Sequence, residues 1–438
     1  AMLAVGLLFG NADYIRWGMD AFDQLVANTI DRDGLYYETS TSYTRFTRSV
    51  LVDMAELIAG YRPENYAGFP GDFPPARNPF DQPRLRALVV NNFDLSVAGH
   101  LMNFGNDQVD RKVITSPAGD WLERDWDAMA RFVAYASDAT VRDRVRSMLG
   151  SHLYGRREKG EQNRWWLMKM GEPLPAPALA PVELSPVGNG KFFSTKGMAA
   201  FQSGAWPNRR GFLVRGGPNL PHAQDDLLGL NLWDLGRELS AELAYATFDS
   251  HVHRGWTSRA LAHNLVVIDE DAPLSGTEYF KKSPGATFRS FYAQGPVRFM
   301  DADGRSQFNL RYEGVTRYRR RVVMVDADTS HSYYVDVFDV EGGSVRDYSL
   351  HAPYSDELLT DALTLEGISP RPVPEVWTLA GLSPRWRNAD WNQPGRSWGE
   401  RVTAGEYLRK LSPDDGVGPY GWVAPGRGTS AGDLPSNQ

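Results

Sequence analysis

Two stretches of the chain concentrate side chains able to move protons or hold ions near neutral pH. The first, DRDGLYYETSTSYTRF (31–46), is denser in hydroxyls, phenols and carboxylates than a turn between two helical stretches requires. Within it Tyr43 is followed by Arg45 and Arg48. A phenol beside fixed positive charge is favoured as phenolate, which lowers its pKa and makes it a usable acid or base. The alternative is a tyrosine at the start of the next helix with its hydroxyl in solvent, and spacing alone does not separate the two. The second stretch, residues 216–270, reads as strand yet carries His222, His251, His253 and His263, half of the eight histidines. His222 follows Pro221 and precedes Asp225 and Asp226, a setting that orients an imidazole and tunes it for proton transfer. His251 and His253 alternate beside Gly255 and read as loop residues. His263 precedes the apolar run from Leu265 to Ile268 and enters a strand at the edge of the core, where a buried imidazole needs a hydrogen bond or a metal.

Helices must position the first stretch. ADYIRWGMDAFDQLVANTI (12–30) sets Ile15, Met19, Phe22 and Leu25 on one face at three- and four-residue spacing, and SVLVDMAELIAGY (49–61) repeats the pattern and stops near Gly60. Further helices are expected over 83–102, 120–138 and 140–155, and successive helices with polar loops suggest paired hairpins, as in an α/α toroid. MLAVGLLFG (2–10) has no basic region before it and no small-residue cleavage site after it, so it reads as a buried helix rather than a signal peptide. The segment GEPLPAPALAPVELSPVGNG (171–190) holds five prolines and predicts an extended linker. Beyond it the period becomes that of strands, clearest in TRYRRRVVMVDADTSHSYYVDVFDVEGG (316–343), which reads as a hairpin. The expected organisation is therefore a helical domain (1–170), the linker, and an antiparallel β-sandwich (191–438) whose tail, 425–438, frays.

Composition narrows the function. A chain of 438 residues is long enough for two cores, and the absence of cysteine removes disulfides, thiolate ligands and thiol nucleophiles together. A net charge of -7 argues against a general nucleic-acid binder, while a local basic groove for a polyanion stays compatible with it. The 13 Trp and 19 Tyr suit stacking on sugar rings, or equally a large aromatic core. No apolar run approaches the roughly 18 residues of a membrane span, which predicts a soluble chain.

The stretches PHAQDDLLGLNLWDLGRELSAELAY (221–245) and WTSRALAHNLVVIDE (256–270) resemble, in order, a region of the heparinase II/III-like polysaccharide lyases. There a His-x-His-x-Asp run opens a strand pair and a Leu-Ala-His-Asn run follows. Upstream, DGLYYETSTSYTRFTRSVLVDMAELIAGY (33–61) resembles the toroid segment bearing that family's catalytic tyrosine. The resemblance implies an α/α toroid, incomplete here at its N-terminus, joined to an antiparallel β-sandwich. It implies cleavage of uronic-acid polymers such as alginate, heparan, chondroitin or hyaluronan by β-elimination, and with that substrate class a periplasmic or secreted location. Tyr43 and His222 match the catalytic tyrosine and histidine, with the site expected between the domains. Arg45 matches a substrate-contacting arginine, and Arg48 and Asn264 are further candidates for substrate contact.

The metal position departs from the family. His263 matches a frequent zinc ligand, but the second histidine of the His-x-His run is Gln224 and the aspartate position is Glu242. A Gln/Glu/His set is harder than His/Asp/His. It predicts a structural manganese-like or calcium-like ion completed by water, with zinc held less well, or an empty hydrogen-bonded cluster. The family's asparagine that neutralises the substrate carboxylate would fall before Ala1. The chain is thus expected to lack its first toroid helices or to use another residue, Asn103 and Asn106 being the substitutes by position. Two other readings remain. An inverting glycoside hydrolase would need carboxylates about 6.5–9.5 Å apart, for which Asp33 and Glu38 are the candidates. The other is a non-catalytic polysaccharide-binding protein.

Overall fold

The computed structural model describes residues 1–90, 96–98, 100–102, 104–106, 123–143, 145, 189–204, 209–218, 220–234, 237–240, 242, 260–268, 285–305 and 314–351. Asn103, His251, His253, nearly all of the linker, most of the helix expected over 140–155 and the tail lie outside these residues. The chain divides into two compact units, one drawn from Ala1–Met102, Lys112–Gly188 and Phe193–Thr195, the other from Asn103–Arg111, Asn189–Phe192 and Lys196–Gln438.

The first unit is helical, with α1 at Met2–Phe9, α2 at Ala12–Thr29, α3 at Thr41–Gly60, α4 at Pro83–Val90 and α5 at Glu123–Tyr135. Helix α2 starts on Asn11, whose side chain accepts the Tyr14 amide at 2.9 Å. Its buried stripe runs Ile15, Met19, Phe22 and Val26, while Leu25, expected on that face, is 43% exposed. The stripe advances by 3.6 residues per turn, so the step of four from Phe22 stays on the face and the step of three leaves it. Helix α1 is present but is not the buried helix expected, since Leu8 is 76% and Phe9 68% exposed. It meets α2 at glycines. A Cβ on Gly6 would lie 2.8 Å from the Ile15 nitrogen, and one on Gly18 would lie 2.6 Å from the Leu3 Cβ. That close approach buries one side only. One apolar cluster joins α2 and α3 to Phe80, Leu85 and Leu88 and to Met129, Phe132 and Val133 of α5. The helix expected over 83–102 ends at Val90 within the described residues, and β1 (Ser96–Val97) pairs antiparallel with β2 (His100–Leu101) instead. Ala98, at φ 51, turns the chain between them.

The second unit is antiparallel β. A five-stranded sheet takes the order β3-β4-β5-β6-β7, from Gly190–Phe193, Met198–Ser203, Arg210–Arg215, Gly229–Asp234 and Arg237–Glu238. Strand β8 (Val266–Ile268) forms a separate pair with β13 (Arg346–Tyr348). A four-stranded sheet, β12-β11-β10-β9, is built from Thr287–Gln294 (β9), Val297–Asp303 (β10), Arg317–Asp326 (β11) and Ser332–Glu341 (β12). The hairpin read in the sequence is β11 and β12, in register from Arg317 opposite Glu341 to Asp326 opposite Ser332. Phe201, Phe212 and Val214 share one apolar cluster with Met300, Val322 and Met324, and with Val266 and Ile268.

Through this core runs a buried cation. Arg320, without solvent exposure, donates both Nε (2.9 Å) and Nη2 (2.7 Å) to Asp336. Its Nη1 reaches the carbonyls of Leu228 (2.6 Å) and Asn264 (2.5 Å), and Nη2 also reaches the Tyr348 hydroxyl at 3.0 Å. The guanidinium lies 5.0 Å from the Phe338 ring centre. A single ammonium cannot serve this set, because the acceptors match a planar fork of donors. Arg320→Lys is therefore expected to destabilise the second unit by about 3 kcal/mol or more, the scale of breaking a buried pair. Denaturant unfolding checks it, and a loss under about 0.5 kcal/mol would contradict the role given to the fork.

Candidate active site

The turn before α3 is built by its own side chains. Asp31 Oδ1 accepts the Leu35 amide at 2.8 Å, and Gly34, at φ 77, returns its amide to the Asp31 carbonyl at 3.0 Å. Thr195 donates its hydroxyl to Asp31 (2.5 Å) and Asp33 (3.0 Å), and its amide to Asp33 at 3.2 Å. Ser40 then caps α3 and accepts the Tyr43 amide at 3.4 Å, which puts Tyr43 in the first helical turn, half-buried.

The phenol environment is the reverse of the sequence expectation. Burial, and after it the Glu38 carboxylate, push the Tyr43 pKa up from its ordinary value. The same two causes, with Tyr37, push Tyr36 up to about 12. Tyr37 donates its hydroxyl to Glu38 at 3.1 Å. The arginines do not counter this. Residues two apart on a helix diverge by roughly 200°, so Arg45 does not face Tyr43. Arg48 is wholly buried on the core side of α3 with Thr44, Leu51 and Ala55. Asn264 is likewise without exposure, its Oδ1 accepting the His351 amide at 2.6 Å. Arg45 remains partly exposed.

His222 sits in a tight turn of the second unit. The Ala223 amide returns to the Leu220 carbonyl at 3.0 Å, with Pro221 in the second position and His222 in the third at φ 65. Proline followed by positive φ is the pattern of a type II turn, whose third position belongs to glycine. A histidine held there stores strain of roughly 1–2 kcal/mol. The His222 carbonyl accepts the Asn106 amide at 2.8 Å. Asp226, expected to orient His222, forms a buried ion pair with Arg215 instead, and Arg215 Nη2 also bonds the Pro218 carbonyl at 3.1 Å. The carboxylate goes to the guanidinium because a buried arginine needs a counter-charge.

Two hydrogen bonds engage the three candidate metal ligands. His263 Nδ1 and Glu242 Oε1 lie 2.6 Å apart, both buried. Burial pushes the imidazole pKa down, but Glu242, with Asp226 and Asp225 behind it, pushes it up, and the net direction is up. Gln224 donates Nε2 to Asn106 Oδ1 at 3.1 Å. Gln224 Oε1 and His263 Nε2 have no hydrogen-bond partner among the described residues. Nor do three His, Cys, Asp or Glu side chains converge as ion ligands among them. Glu242 and His263 form a hydrogen-bonded pair and Gln224 an amide contact, and Gln224 Oε1 and His263 Nε2 are the atoms that such a set would offer to an ion. Asn106 is buried and accepts from Gln224. The Asn106 contacts and the influence of Glu38 on three tyrosines join residues whose types and spacing carry no signal of the contact.

Strain at position 222 is measurable. Relative to His222→Ala, His222→Gly is expected to be more stable by about 1 kcal/mol, since both remove the imidazole but only glycine relaxes the positive φ. Thermal melting of the pair checks this, and a glycine variant no more stable than the alanine variant would remove the strain.

No protein-family model matches the sequence, and no curated protein does. Among solved structures, a crystal structure of heparinase III superimposes with a TM-score of 0.50 at 14% identity, over 78% of this chain and 46% of that one. A heparinase III gene product gives 0.47 at 16% identity, over 78% and 44%. Heparan sulfate lyase HepC from Pedobacter heparinus gives 0.44 at 14% identity, over 75% and 42%. The chain spans less than half the length of these structures. Helices first and antiparallel sheets after, the chain has the fold of heparinase III over the part that the two share.

Proposed function

We propose that the protein is a polysaccharide lyase that cleaves uronic-acid polymers by β-elimination, with Tyr43 and His222 moving the protons. The observation that carries this reading is His222 itself, a titratable side chain held at a turn position that favours glycine, on a chain with the fold of heparinase III. Strained backbone of this kind clusters at functional positions, which supports the reading for a titratable residue. The helices are then part of an α/α toroid and the sheets of a β-sandwich. The substrate is hyaluronan, chondroitin, heparan or alginate, and the location periplasmic or secreted. No helix among the described residues is long and apolar enough to cross a membrane.

Elimination requires loss of the C5 proton, which is weakly acidic while the neighbouring carboxylate keeps its charge, so a donor to that carboxylate comes first. Arg45, partly exposed on α3, is the arginine of that helix able to meet the sugar. The neutral imidazole of His222 takes the C5 proton. The electron pair moves to form the C4–C5 double bond, the C4–O bond breaks, and Tyr43 gives its proton to the leaving oxygen. The raised pKa of Tyr43 suits this part, since a phenol that stays neutral is an acid rather than a base. A hydrolase reading lacks comparable support, because Asp33 is engaged by Thr195 and Ser194, and Glu38 by Tyr37.

Incubation with hyaluronan, chondroitin, heparan and alginate, followed by the ultraviolet absorbance of unsaturated uronate, tests the reaction. Tyr43→Phe and His222→Ala are each expected to lower that rate by about 10²-fold or more with folding intact, and rates within a few-fold of the parent would remove the residue from the mechanism. The protonation states give a signed prediction as well. Activity needs the neutral phenol, so it falls as pH rises through the Tyr43 pKa. Glu38→Gln removes a negative charge that disfavours phenolate, lowers that pKa, and moves the alkaline limb of kcat/KM to lower pH. An alkaline limb that stays in place or moves up would exclude Tyr43 as the acid.

A further inference from the structure

We propose that Gln224 and Asn106 are positioning residues for His222, an amide clamp that fixes the left-handed turn carrying the imidazole. Two bonds make it: the Asn106 amide donates to the His222 carbonyl at 2.8 Å, and Gln224 Nε2 donates to Asn106 Oδ1 at 3.1 Å. Both side chains are buried, 6% exposed for Asn106 and 2% for Gln224. The clamp therefore closes a loop, since Gln224 lies two residues beyond His222 and the same asparagine holds the third position of the turn and the residue that follows it. The turn itself supplies the need. A non-glycine residue at φ 65 relaxes when its flanking peptide is free, and the carbonyl bond to Asn106 opposes that relaxation. Gln224 suits the task because an amide donates to Asn106 while a neutral imidazole at that position offers a single N–H in fixed geometry.

The inference rests on the reading of His222 as a proton carrier, and its test separates the two. In Gln224→Leu, hydrogen exchange at the Asn106 amide is expected to rise about ten-fold, the equivalent of one hydrogen bond, and the ring resonances of His222 to shift in nuclear magnetic resonance spectra. Lyase kcat falls about ten-fold while KM stays within about two-fold, as loss of positioning rather than of binding requires. Gln224→Glu restores the protection and the resonances, because rotation of the Asn106 amide lets its nitrogen donate to the carboxylate. Where Gln224→Leu does not fold, Gln224→Asn, which keeps the amide but shortens its reach, is expected to give the same shifts. Unchanged Asn106 exchange and unchanged His222 resonances in the folded variant would overturn the clamp. A parent protein that forms no unsaturated uronate would overturn the lyase reading instead, and the exchange and resonance measurements would still decide the clamp.

Discussion

A guanidinium with no access to water must find acceptors for its whole fork, and the second unit is arranged around meeting that demand at Arg320. Its partners come from four places in the chain: the Leu228 carbonyl, the Asn264 carbonyl, Asp336 on β12 and the Tyr348 hydroxyl on β13. The Leu228 contact leads toward the candidate site. Leu228, itself at φ 61, gives its amide to the Arg215 carbonyl at 2.7 Å. Arg215 pairs with Asp226 and bonds the Pro218 carbonyl, on either side of the turn that carries His222. The Asn264 contact fixes the residue next to His263. The fork of Arg320 thus bonds backbone next to His263 and, at Leu228, backbone six residues beyond His222.

Burial also decides which protonation states the site offers. Around Glu38, three phenols are pushed toward the neutral form by loss of water and by one carboxylate. In the second unit His263 goes the other way, because the cost of burying its charge is outweighed by Glu242 at 2.6 Å together with the Asp226 and Asp225 charges.

What the sequence made legible was local. The periods of α2, α3 and α5, the hairpin of β11 and β12 and the need of His263 for a partner all follow from residues close together in the chain. Errors came where a side chain answers to distant neighbours. Leu25 and Val26 differ by one step of the helix, and the packing against α3 and α4 chooses between them. Arg48 reads as a cation near Tyr43 until the helix turns it inward. The bond of Gln224 to Asn106, 118 positions away, is one that no local pattern reports. Asp226 was assigned to His222 by adjacency, whereas Arg215, eleven positions upstream and buried with it, holds it.

The central claim is that bond cleavage proceeds without water entering the product. Mass spectrometry of oligosaccharides released from a defined uronic-acid polymer tests it most directly. β-Elimination predicts that fragments cut from the reducing side of each broken bond are lighter by one water than the corresponding hydrolysis products, and that they carry the C4–C5 double bond. Fragments that have each gained a water would contradict the account and assign the site to hydrolysis.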